Sequence, residues 1–150
     1  MAILVDSNVL VFLVQQEHPW HEESKRALKL FLSTEDQVIV FLQNIEEFWN
    51  ACTEPADKNG LGLSVTESER RLGELELIVT LLPDATATYQ QWRRLVLQHE
   101  VKGVEVHDAR LAAGMIVHGI TRILTYNPKD FKRYREIIAI HPRRLVSNDG

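Results

Sequence analysis

The sequence predicts an α/β fold, a mostly parallel sheet of about five strands covered by helices on both faces. Three observations predict it. Runs of consecutive apolar residues recur at 2–5, 37–42, 77–82, 122–125 and 137–140. Such runs mark strands buried on both faces, where half-exposed strands alternate apolar with polar. Segments with apolar residues at helical spacing lie between the runs. Acidic and amide side chains follow several runs, at the edge where right-handed crossovers bring functional groups together. A length of 150 residues fits one domain, 1–150.

The elements follow in order. "AILV" (2–5) reads as a buried strand, and the apolar residues after Asp6 as the start of its covering helix. Residues 21–33 are amphipathic, with Ala27, Leu28, Leu30, Phe31 and Leu32 towards the core. "QVIVFL" (37–42) is the second strand. Ile45, Phe48, Trp49 and Cys52 stand at i, i+3, i+4 and i+7, so a helix begins near Asn44. Pro55, Gly60 and Gly62 make 54–63 a loop. A helix over 64–75 has Ser64 or Thr66 as its N-cap. "LIVTLL" (77–82) is the third strand, closed by Pro83 and Asp84. Helices follow at 86–100 and 108–118, the second stopped by Gly119. The last strands are 122–125 and 137–140, ended by Pro142.

Composition removes several possibilities. Cys52 is the only cysteine, which excludes an internal disulfide and a cysteine-based zinc site, as befits a reducing compartment. The apolar run 3–14 contains Asp6, lacks a basic leader and is shorter than the roughly 20 residues that span a bilayer. A soluble, cytoplasmic protein without a membrane contact is expected. Net charge is −4, but residues 1–90 carry 6 Lys/Arg against 15 Asp/Glu and residues 91–150 carry 11 against 6. A basic face in the second part would suit a phosphate backbone, as would an ordinary solvated surface. The tryptophans at 20, 49 and 92 read as core or interface anchors.

"ILVDSNVL" (3–10) places Asp6 inside the most apolar stretch of the chain. A buried carboxylate is costly unless it is hydrogen-bonded, paired or bound to a cation. Each acid near the predicted sheet edge has an ordinary reading of its own. Asp6 would cap a helix or make an Asx turn. Asn44 and Glu47 match a capping box, with Glu46 as Glu47's competitor for any other role. Asp108 would sit well at the positive end of its helix. Asn127 would open a turn and Asp130 cap a short helix. Together they are less ordinary. Close carboxylates repel unless a cation lies between them, and oxygen-only ligands suit Mg²⁺ or Mn²⁺. Such an ion would activate water and offset charge on a phosphodiester. Arg110, Arg122, Lys129, Lys132 and Arg133 are candidates for holding a phosphate backbone, and His107 for supporting Asp108.

"ILVDSNVL", "QNIEEFWNACTEP", "VKGVEVHDARLAAGM" and "ILTYNPKDF" occur in this order over nearly the whole chain. In order and spacing they resemble the PIN-domain ribonucleases, most of all the VapC-type toxins of VapBC toxin–antitoxin systems. The resemblance implies an α/β/α sandwich, a Mg²⁺ or Mn²⁺ centre, and cleavage of RNA leaving 5′-phosphate and 3′-hydroxyl ends. It matches Asp6, Glu47 and Asp108 to the family's metal-holding acids and so favours Glu47 over Glu46. Asn8 matches the amide after the first acid, and Thr125 a supporting hydroxyl. The fourth position falls on Asn127, with Asp130 the nearby alternative. Partners implied are RNA, a small VapB-like antitoxin that inserts an apolar segment into a groove, and a second copy in a homodimer. Two positions depart from the pattern. Asn127 is neutral where many members carry Asp, and Glu54 stands where a basic residue is common.

Other readings fit less of the sequence. Haloacid-dehalogenase-type phosphatases want a second acid two residues after the first, and Asn8 stands there. The six histidines form no evident catalytic pair. A PIN-like module that binds RNA or protein without cleaving is the alternative that Asn127 keeps open.

Overall fold

A computed structural model of the chain describes residues 1–146. Its strands are β1 (Ala2–Val5), β2 (Gln37–Phe41), β3 (Thr80–Leu82), β4 (Arg122–Leu124) and β5 (Ile138–Ile140). They form one sheet in the order β3-β2-β1-β4-β5, and every pairing is parallel. β1 is central, with Leu4 beside Ile39 on one side and Ile123 on the other. Its residues are apolar because both faces are covered. Ile3 and Val5 enter one helical layer and Leu4 the other, and all three are fully buried. Each such side chain contributes about 1.5–3 kcal/mol on burial.

The first layer holds α1 (Ser7–Val14), α2 (His21–Leu32), α3 (Leu42–Thr53) and α4 (Val65–Glu76), packed through Leu10, Leu28, Phe31, Phe48 and Leu75. The second holds α5 (Thr88–Gln98) and α6 (Val106–His118), packed through Leu95, Leu111 and Met115 with Phe131 and Tyr134. The short α7 (Pro142–Val146) returns to the first layer through Leu145 and Val146. The result is the expected α/β/α sandwich. From β1 the chain builds outward through β2 and β3, then crosses back to β4 on β1's other side. That reversal opens a crevice at the carboxyl ends of β1 and β4, where open parallel sheets receive ligands.

The small face of α6 lets it lie close to the sheet. A methyl group placed on Gly114 would meet Phe41 Cε2 at 3.0 Å. Gly119 then ends the helix in the left-handed region at φ 71°, which residues without a Cβ adopt freely.

Several boundaries differ from expectation. Residues 77–79 form the turn that closes α4 and are not part of β3, because Leu77 N–H donates to Glu74 O, and Ile78 and Val79 N–H donate to Leu75 O. α3 starts at Leu42 because Asn44 Oδ1 accepts from Phe41 N–H at 2.8 Å. Asn44 therefore lies inside the helix and closes its start from there, so Glu47 is not part of a capping box. α6 starts at Val106, after a 3-10 turn at Gly103–Glu105, so Asp108 stands within the first turn. Among the described residues no helix is long and apolar enough to cross a membrane.

Gly114→Val should cost about 1–3 kcal/mol through overpacking against Phe41. Urea unfolding measures it, and an unchanged midpoint would mean that α6 and β2 are not in tight contact.

Candidate active site

Asp6 follows β1 directly, 7 % exposed, and its backbone N–H donates to Leu124 O at 2.9 Å. That bond carries the β1–β4 ladder one residue past the strand and fixes the carboxylate at the crevice. Oδ1 accepts from Ser7 N–H at 2.8 Å, which caps α1, and Oδ2 accepts from the Thr125 hydroxyl at 2.7 Å. Burial raises the carboxyl above the ordinary aspartate range. The Thr125 and Ser7 hydrogen bonds pull it back, and nearby Asp130 pushes it up again.

Thr125 is fully buried and ties the crevice together. Besides donating to Asp6, its Oγ1 accepts from Asn127 N–H at 3.1 Å and from Asn8 Nδ2 at 3.4 Å. Asn8 Oδ1 in turn accepts from Tyr126 N–H at 3.2 Å. Asn8 and Thr125 thus hold the chain after β4 against the start of α1. Tyr126 anchors the same loop from below. Its hydroxyl lies 2.6 Å from Ser24 Oγ, its ring stacks on Trp20, and burial pushes the phenol up to about 12.

Two acids arrive from the helical layers. Glu47, on the second turn of α3, is partly buried, and its Oε1 is buried without a hydrogen-bond partner. Burial, then the charges of Asp6 and Glu46, raise it, while Ser7 and Gln43 oppose the rise. Glu46 instead lines a surface hollow with Ile45, Trp49, Asn50 and Thr53. Asp108, in the first turn of α6, is pushed up to about 7, first by burial and then by Asp130, Asp6, Glu47 and Glu105. Asp6 and Glu47 thus lie near enough to Asp108, and Asp130 near enough to Asp6 and Asp108, for their charges to be felt at the crevice.

The remaining candidates separate. Asp130 lies in the 3-10 turn Pro128–Phe131, exposed at the mouth, with Lys129 and Lys132 exposed beside it. Asn127 is exposed at the start of that turn. Arg133 pairs with Glu105 at 3.1 Å and Arg110 with Asp84 at 3.2 Å. Arg122 does not join them. It begins β4 at the opposite edge of the sheet and pairs with Asp36 at 3.0 Å. The His107 side chain is exposed, and its contribution is a backbone carbonyl that accepts from Gln43 Nε2 at 2.8 Å. Ser7, Gln43 and Glu105 belong to the site and were missed from sequence. Ser7 had a signal, as the residue between an acid and a helix.

Whether these side chains fit a divalent ion can be asked of their chemistry. The donors are all oxygen, one buried carboxylate oxygen has no partner, and the acids raise one another's pKa. A hard cation would relieve each of these features. Among the described residues, however, no three carboxylate or imidazole groups form a ready-made cage. Oxygen donors of this kind suit Mg²⁺ or Mn²⁺, ions that keep several waters of their own.

The PIN-domain family model matches residues 3–137. No curated protein sequence matches the chain. Solved structures do. VapBC2 from Rickettsia felis, bound to a DNA fragment from its promoter, has a TM-score of 0.71 at 14 % identity, covering 94 % of this chain and 98 % of that one. A toxin–antitoxin complex from Klebsiella pneumoniae has a TM-score of 0.64 at 19 % identity, covering 93 % and 97 %. VapC20 from Mycobacterium tuberculosis, a sarcin–ricin loop cleaving toxin, has a TM-score of 0.60 at 19 % identity, covering 81 % and 86 %. At these identities the likeness is one of fold.

The raised acids carry a pH signature. In the folded, metal-free protein Asp108 is pushed up to about 7, whereas an unfolded aspartate titrates at about 3.9. The folded state binds the extra proton between those values, so stability falls as pH rises through that window. The melting temperature of metal-free protein should drop from about pH 5 to about pH 7.5. Asp108→Asn should flatten that slope and raise the melting temperature at the upper end. An equal slope in both proteins would remove Asp108 as its source.

Proposed function

The chain belongs to the PIN-domain family, and from that premise we propose that it is a Mg²⁺- or Mn²⁺-dependent endoribonuclease, the toxin of a type II toxin–antitoxin pair. PIN domains are nucleases as a family. The observation that carries the finer reading is the set of mutually repelling acids at the sheet's crevice, with Asp108 pushed up to about 7. The sarcin–ricin loop cleaved by VapC20 supports RNA as the substrate class.

Asp6, Glu47 and Asp108 would hold the ion, with Asp130 or Asn127 completing the set. When bound, the ion supplies a lowered water pKa and a countercharge for the phosphodiester. The chain's own residues do the positioning. Thr125 fixes Asp6 Oδ2 and leaves Oδ1 the capping bond to Ser7. Asn8 keeps the loop bearing Asn127 and Asp130 closed over α1. Asp130 adds the negative charge that Asn127 lacks. Lys129 and Lys132 at the mouth receive the RNA backbone, making binding salt-sensitive. Arg110 and Arg133 join them by exchanging Asp84 and Glu105 for phosphates. Arg122, held by Asp36 at the far edge, has no part in this.

The antitoxin would lie along a groove of about 380 Å³ lined by Leu28, Leu32, Leu75 and Ile78, with Lys25, Lys29, Arg71 and Glu74 on its rim. These walls suit an apolar segment. The toxin–antitoxin complex of the same fold from Klebsiella pneumoniae supports such a partner. The protein would act as one domain, in a homodimer, in the cytoplasm. A second reading, a module that binds without cleaving, draws on the lack of a ready-made three-acid cage among the described residues.

Asp6→Asn and Asp108→Asn should each lower Mg²⁺-dependent cleavage of total RNA by at least roughly a hundredfold. EDTA should abolish the wild-type activity, and melting should stay cooperative. Cleavage that survives both substitutions would sink the assignment. Wild-type protein that binds RNA without cutting it at millimolar Mn²⁺ would favour the second reading.

A further inference from the structure

The described residues include six buried polar or charged side chains, and five have duties already on the page or close at hand. Asp6 and Thr125 bond to each other, Ser24 to Tyr126, Asn44 to the Phe41 N–H, and Ser68 to Ser64 O within its own helix. Gln43 is the sixth. It caps nothing and reaches out of its own helix.

Gln43 is 6 % exposed on the first turn of α3, one turn before Glu47 and on the same helix face. Its Nε2 donates to His107 O at 2.8 Å, 64 residues away. That carbonyl is joined directly to the Asp108 peptide. Glu47, four residues on along the same helix, stands within reach of the same side chain. α3 lies in one helical layer and α6 in the other. Gln43 therefore joins the layers around the edge of the sheet, between the two acids that arrive from opposite faces. Its Oε1 and Glu47 Oε1 are both buried without a hydrogen-bond partner.

An amide nitrogen has two N–H donors, enough for a carbonyl and a carboxylate together. Methionine has similar length and no donor, and glutamate would add a charge where four acids already gather. We propose that Gln43 is a positioning residue of the acid site, whose amide sets the spacing of Glu47 and Asp108. This rests on the reading of those acids as holding a divalent ion.

Gln43→Met tests it in two arms. With the metal-free protein, hydrogen exchange at the amides of Ala109, Arg110 and Leu111 should quicken. With Mn²⁺ followed by electron paramagnetic resonance, the Kd should rise about 10- to 100-fold. Melting should stay cooperative, and if Gln43→Met does not fold, Gln43→Asn carries the same two arms. Unchanged Mn²⁺ affinity beside a wild type that binds overturns the role, even if exchange quickens, because the contact is then structural only. Weaker Mn²⁺ binding with unchanged exchange overturns the strut through His107. A wild-type protein that takes up no Mn²⁺ overturns the metal reading itself, and the positioning role with it.

Discussion

The hydrogen bond from Thr125 to Asp6, 2.7 Å long and buried between β1 and β4, is the contact on which the site depends. A carboxylate there would otherwise face its burial with only Ser7, through its N–H and a hydroxyl 3.5 Å away, for company. The bond fixes Asp6 in one rotamer and also fixes the loop after β4, because the same hydroxyl accepts from Asn127 N–H and Asn8 Nδ2. Asp130 rides on that loop. Strand order makes the contact possible, since only a sheet that reverses beside β1 brings residues 6 and 125 together.

Around that point the chain gathers charge that it does not neutralise. Asp6, Glu47 and Asp108 are all raised by burial and by one another or by Asp130. Arginines near the site are held by other acids, Arg133 by Glu105 and Arg110 by Asp84. Local rules broken at one place in an otherwise consistent structure mark function. The rest of the fold carries the cost, through two apolar layers that bury Ile3, Leu4 and Val5 completely.

Much of this was legible in the sequence, for identifiable reasons. β1 and β2 announce themselves as unbroken apolar runs because both faces are buried. Ser64 and Gly119 mark helix ends through side-chain and backbone chemistry local to them. The acids were legible as a group because parallel strands deliver their following residues to one edge. What failed were features set at a distance. "LIV" at 77–79 has strand composition, yet α4's last carbonyls claim its N–H groups. Arg122 lies in the basic part of the chain but begins a strand, which puts it at the edge away from the acids. Gln43 gave no signal, because its partner is a carbonyl 64 residues on and any residue type supplies a carbonyl.

On the proposed reading these acids stand together because an ion belongs among them. Crystals grown with Mn²⁺ and measured at the manganese absorption edge decide it. An anomalous peak bounded by the carboxylates of Asp6, Glu47 and Asp108 is the expected result. No peak there at saturating Mn²⁺, or a peak held by other residues, would overturn that reading.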